Sequence, residues 1–377
     1  MRTTRLLRAR RSRPATLAAL VSVLAVAVGA LGAGTASAVY VPVTTTIRPG
    51  ADVLAAMRAL KPGDTLLLAA GTYNTGYLRA DRMAVGSAAF PITVAAADPT
   101  HPPLLVGGLR FYSPSYLVLR SLRVQAVNSG TDIGLSALVI DGGTGWSVIG
   151  SEFFGARRTG SMANVNISGT GGYPRAWTFT QNCVHDAANS TRADATDHNL
   201  YISYAGSAAT TGVVSRNIVW GAPHGENIKL GNGGLAGAIG PWGVRVVNNT
   251  LALGGRQLLL HAAVSNNVVV GNIFYHATQG FVSNPKTTQV YVHDVVGTGN
   301  SVAGNYSSLA SMVSYDPTNK VSYGSGNVVG ADPAFTGVGS CSGWKPTLAA
   351  AAAYGRWASP SGLVPMPPPV DAPPRHW

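Results

Sequence analysis

The sequence predicts an all-β fold, a right-handed parallel β-helix in which successive coils stack as a solenoid. Three observations lead there: two interleaved columns of short apolar strands, a polar residue recurring beside one of them, and 46 glycines with only 11% charged residues. Low charge and abundant glycine disfavour helical bundles and suit many short strands joined by tight turns. Polar residues in strand-turn phrases fall at Glu152, Asn182, Asn217, Asn249, Asn272 and Asn300, at spacings of 30, 35, 32, 23 and 28. The second column begins at Ala137, Asn164, Asn199, Asn227, Gln257 and Gly280, at spacings of 27, 35, 28, 30 and 23. One coil alone cannot bury its inward face, so coils stack and pool one elongated core. A corner asparagine can hydrogen-bond up and down such a stack and tolerates left-handed backbone. A sandwich or propeller would need more uniform steps.

The elements follow in order. Arg2, Arg5, Arg8, Arg10, Arg11 and Arg13 precede an apolar run to Ala33 and the small-residue site Ala36-Ser37-Ala38, which reads as an export signal over 1–38 cleaved after Ala38. The β-helix domain is expected over 39–358. Ala51 to Leu60 reads as an amphipathic helix that covers the first coil, because an open coil end exposes unpaired strand edges. Pro360 to Trp377 forms a proline-rich tail, so 359–377 is expected to be disordered.

Without the signal, 21 basic residues stand against 15 acidic ones, a net charge of +6. That excess suits a polyanionic ligand, while the lack of any dense Lys/Arg run argues against nucleic acid. The expected product is a secreted monomer with no stable membrane insertion. Cys183 and Cys341 leave a single disulfide open, but one pair is no disulfide framework, so size supplies most of the stability.

PGDTLLLAAGTY from Pro62, FPITVAAAD from Phe90, GNIF from Gly271 and GNVVGADPAF from Gly326 resemble secreted proteins of the pectin-lyase-like superfamily. The resemblance is strongest to the polysaccharide lyase family of chondroitinase B and the alginate lyases, and it runs from about Thr44 to Phe335. It implies β-elimination on a uronate-containing polysaccharide, with Ca²⁺ as the cofactor to consider. The family's Glu-x-Ile-x-x-Lys strand corresponds to Glu226-Asn227-Ile228-Lys229, with the lysine two positions early. His261 stands where the family has an arginine.

Strand alternation then assigns faces. With the aliphatic pairs inward, the outward residues are Asn164, Asn166 and Ser168, then Asn199, Tyr201 and Ser203, then Asn227, Lys229 and Gly231, then Gln257, Leu259 and His261. Parallel strands lie about 4.8 Å apart, so Tyr201 is expected one rung from Lys229, with His261 diagonal to it. Elimination needs a base for the proton α to the carboxylate and a group that stabilises the developing enolate. Lys229 is the first candidate base and Tyr201 the second, with His261 and Asn199 to bind or neutralise the carboxylate. Asn166, Gln257, His224 and Arg256 are expected to line the groove, and Glu226 with Asn227 to hold Ca²⁺ if it is used. His198, Asp194 and Asp197 read as turn residues as readily as functional ones.

Two other readings stay open. A glycoside hydrolase needs clustered carboxylates, of which this column offers only Asp141. A non-catalytic binding module would use Tyr201, Trp220, Trp242 and Tyr275 as sugar-stacking surfaces.

Overall fold

Short runs of Val, Ile and Leu interrupted every few residues by glycine or a positive-φ residue cannot continue as long strands, so the chain bends three times per coil. The result in the computed structural model is three parallel sheets wrapped around one core. The structure describes residues 40–358 apart from 82, 128–135, 157–162, 170–171, 188–196, 232–239, 279–287 and 314–319. The expected signal at 1–38, the tail at 359–377, Asp194 and the strand expected from Gly280 lie outside the described residues. The chain divides into Met1–Val41, almost wholly outside the described residues, and Pro42–Trp377, which holds the fold.

Among the described residues, sheet 1 has 11 strands, sheet 2 has 10 and sheet 3 has 8. One coil supplies Trp177–Thr180 to sheet 1, Cys183–His185 to sheet 2 and Asp197–Ser203 to sheet 3. The next coil supplies Gly212–Ser215, Ile218–Trp220 and Gly225–Leu230 in the same order. Inward residues stack in register: Phe153, Val184, Val219, Leu251 and Phe274 in sheet 2, and the pairs Leu200 and Ile202, Ile228 and Leu230, Leu258 and Leu260 in sheet 3. All are buried in one continuous cluster. Each such side chain contributes roughly 1.5–3 kcal/mol through burial.

The expected helix forms as Val53–Ala59. Asp52 caps it by accepting a hydrogen bond from the Ala55 amide at 2.9 Å, and Val53 and Met57 are buried with the first coils' core. No helix among the described residues is long and apolar enough to cross a membrane.

The asparagine column is real, with two corrections. Between sheets 1 and 2 it runs Asn182, Asn217, Asn249, Asn272, Asn305 and Asn327, each side-chain oxygen accepting from the backbone amide one coil earlier at 2.8–3.0 Å. Ser151, not Glu152, opens it. Asn300 instead joins a separate stack, its Oδ1 accepting from Asn267 Nδ2 at 3.0 Å. The left-handed residue is the one before each rung, such as Gln181, Arg216 and Asn248, so the asparagines act through their side chains.

Past the coils, Phe335–Thr336 pairs antiparallel with Lys345–Pro346, and this stretch lies against the outside of sheet 2. Buried Trp344 packs with Ile218, Trp220 and Ala252, and a disulfide joins Cys183 to Cys341 across 158 residues.

Candidate functional site

Sheet 3 carries the predicted residues on Asp197–Ser203, Gly225–Leu230 and Arg256–His261. The register pairs Asn166 with Tyr201, Tyr201 with Lys229, and Lys229 with Leu259. Lys229 Nζ stands 4.7 Å from the centre of the Tyr201 ring, a cation–π contact on the outer face. Lys229 and His261 are half-buried, whereas Tyr201 is 8% exposed and Leu259 7%. Gly231 follows Leu230 at φ +135, where a Cβ would meet the His261 carbonyl at 2.2 Å, so a side chain here would force these strands apart.

The first residue of each predicted outward triplet is corrected. Asn164, Asn199, Asn227 and Gln257 are fully buried and form a second amide ladder at the corner between sheets 2 and 3. Asn164 donates to Asn199 and Asn199 to Asn227, both at 2.8 Å, and Asn227 donates to Gln257 at 2.5 Å. The carbonyls of His185, Trp220, Ala252 and Tyr275 accept their other N–H groups. Alternation gives the face only where neighbouring strands pair residue by residue, and the register skips Asn199 with Asn227 and Asn227 with Gln257. Asn199 and Gln257 are therefore not surface groups for a substrate. Asn166 does lie in the Tyr201 column but is only 7% exposed.

Beside this ladder lies a buried charge group. His198 Nδ1 is 2.9 Å from Glu226 Oε2, at ion-pair distance without hydrogen-bond geometry, and Arg256 Nη1 donates to Glu226 Oε1 at 3.3 Å. Arg256 also lies over the Tyr291 ring at 3.7 Å, and His198 packs 5.3 Å from the Tyr201 ring. Burial pushes His198 below its ordinary value. Burial would raise the Glu226 carboxyl, but His198, Arg256 and Lys229 outweigh it and hold it below the usual carboxylate range. Glu226, fully buried between the cationic Arg256 and His198, and Asn227, locked in the ladder, do not fit a calcium ion. Arg256 at 3% exposure braces Glu226 rather than lining a groove. His224 is half-buried in the turn before Gly225–Leu230, its Nδ1 buried without a hydrogen-bond partner.

His261 has its pKa pulled down to about 4 by burial first, then by the positive charges of Lys229 and His293. It is neutral at physiological pH. Its Nδ1 is buried with no hydrogen-bond partner. The strand beside it is Val290–His293, which takes the place expected for the strand from Gly280 and pairs His261 with His293 and Leu259 with Tyr291. Tyr291 and His293 were missed, although the alternation of Val-Tyr-Val-His and the 32-residue step from Gln257 to Gln289 could have shown them.

The sugar-stacking set does not share a face: Trp220 and Tyr275 belong to the cluster outside sheet 2, and Trp242 bridges to Ser265 between strands of sheet 1. Asp141 is buried against Arg110, whose Nε donates to it at 2.8 Å, and against Ser168.

No family model matches the chain, and no curated protein matches it. Among solved structures it is similar to an alginate lyase from Paenibacillus sp. str. FPU-7, at 19% identity over 76% of this chain and 99% of that one, TM-score 0.39. It is also similar to pectate lyase Pel9A, at 13% over 78% and 82%, TM-score 0.41, and to jun a 1, the major allergen from cedar pollen, at 12% over 77% and 78%, TM-score 0.44. At such values nothing about activity follows from the likeness, and the β-helix assignment rests on the strand register.

Proposed function

We propose that this is a secreted, monomeric polysaccharide lyase that cleaves a uronate-containing polymer by β-elimination on the outer face of sheet 3. The observation that carries the reading is the Lys229–Tyr201 contact at 4.7 Å, with neutral His261 on the next strand. Lys229 first releases its ammonium proton to solvent, which ends the cation–π contact with Tyr201, and the free amine then takes the proton from the carbon α to the uronate carboxylate. That electron pair becomes the α–β double bond, the bond from the β carbon to the glycosidic oxygen breaks, and the leaving oxygen takes a proton from the Tyr201 hydroxyl. His261, being neutral, serves the carboxylate as a hydrogen-bond donor rather than as a counter-charge. Glu226, held by His198 and Arg256, acts on Lys229 through its charge. No step is routed through calcium.

The test is a panel of alginate, chondroitin, dermatan and pectate, read by ultraviolet absorbance of an unsaturated product with and without chelator. Unsaturated ends that disappear in Lys229→Ala support the reading. Saturated reducing ends point to hydrolysis, and binding without product points to a carbohydrate-binding module.

A further inference from the structure

The strand register sets His261 beside His293 on neighbouring strands, with ring centres 4.9 Å apart. Asp294 follows directly, its Oδ2 3.2 Å from His293 Nδ1. One donor atom from each of the three residues lies within 4.8 Å of the others. Two imidazoles and a carboxylate form a borderline donor set, which suits zinc and its transition-metal neighbours rather than calcium, whose sites are built of oxygen. Donors around zinc sit about 2.0–2.2 Å from the ion, so modest rotation of exposed side chains closes the site.

We infer that His261, His293 and Asp294 form a site for a divalent transition metal, with zinc as the ion of first choice. His293 and Asp294 are 38% and 74% exposed, which gives the ion a route in. His261 supplies the more enclosed end: it is half-buried, and its Nδ1 has no hydrogen-bond partner. Three protein ligands leave a tetrahedral position open, the arrangement of zinc sites that bind a further molecule. The site shares His261 with the proposed elimination chemistry but does not rest on it, since His293 and Asp294 have no role there.

The experiment uses the full mature chain without a histidine tag, freed of metal by chelator. Zinc is titrated by calorimetry, and cobalt(II) by the visible spectrum that reports its nitrogen and oxygen ligands. One equivalent bound at micromolar affinity or tighter is expected, with His293→Ala and Asp294→Asn each weakening it about tenfold or more and His101→Ala, beside the exposed Asp98, leaving it unchanged. Millimolar binding by the unaltered chain overturns the site, as does full affinity retained in both His293→Ala and Asp294→Asn. Zinc bound at micromolar affinity by a chain that cleaves none of the polymers would count against the lyase reading alone.

Discussion

Two outer faces of the same coils carry histidines in stacked columns, and the histidines are pushed in opposite directions. Outside sheet 2, His185 is stacked between Phe154 at 5.2 Å and Trp220 at 4.3 Å. Glu152 at 3.1 Å and Asp186 at 2.9 Å meet its two ring nitrogens. Burial works against its charge, but the two carboxylates outweigh burial and raise its pKa. Farther along the same face, the chain's own 335–358 stretch covers the column through Trp344, Phe335 and the Cys183–Cys341 bond. Outside sheet 3, burial lowers the His261 pKa and Lys229 and His293 lower it further, while Asp294 and Glu226 oppose them without reversing the shift, so the ring stays neutral. One fold thus builds a closed, acid-paired face and a cation-lined one. The difference comes from the residues stacked one coil above and below, since the strands are alike.

The largest expected effect breaks the closed face. A disulfide across 158 residues removes about 5 kcal/mol of unfolded-chain entropy in the loop-closure model. Cys183→Ala with Cys341→Ala should therefore lower the denaturant midpoint steeply while the far-ultraviolet dichroism of the β-helix persists in native buffer. An unmoved midpoint would mean that the apolar cluster alone holds the C-terminal stretch.

On the other face, Lys229→Ala should cut unsaturated-product formation by roughly 10²–10⁴-fold, the usual contribution of a positioned base. It should leave the thermal midpoint nearly unchanged, because Lys229 is half-buried and lies outside the core. Equal losses of activity and stability would make it a structural residue.

Between the two faces runs the corner ladder, where Asn227→Ala deletes two donated hydrogen bonds and orphans the Ala252 carbonyl and the Gln257 amide oxygen. About 2–4 kcal/mol of stability should go, measured by chemical denaturation. Asn166→Ala, in the outward column, should cost far less, and similar costs would erase the distinction drawn between corner and strand.

The smallest effect is in pH. His261 has a folded pKa below its unfolded one, so the unfolded chain takes up the proton first. Stability is therefore intact above about pH 6.5 and is lost as pH falls towards 4, by about 1–2 kcal/mol after allowing for solvent at a half-buried ring. His185 has the opposite sign: its contribution is complete below its unfolded pKa and is lost as pH rises through the raised folded value. Acid melts of His261→Gln should be flatter than those of the parent between pH 6.5 and 4, while His185→Gln should flatten the alkaline side. The same slope in parent and variant would remove the electrostatic contrast between the faces.

Much of this was legible in the residues themselves. Period-two alternation and coil-length spacing are local and repeated, so they fixed the parallel β-helix, the inward pairs from Leu138 to Leu260 and the stacking of Tyr201 on Lys229. What tertiary structure alone decided lies at corners and between distant segments. Asn199, Asn227 and Gln257 follow the alternation on paper, yet the break in pairing near the start of each strand turns them into a buried ladder. Glu226 looks like a free carboxylate until His198 and Arg256, 28 positions before it and 30 after it, close on it. Periodicity specifies which residues share a face. Which charges meet there, and which are shut away from water, depends on coil lengths and turn geometry, and these set the register between segments that no local pattern connects.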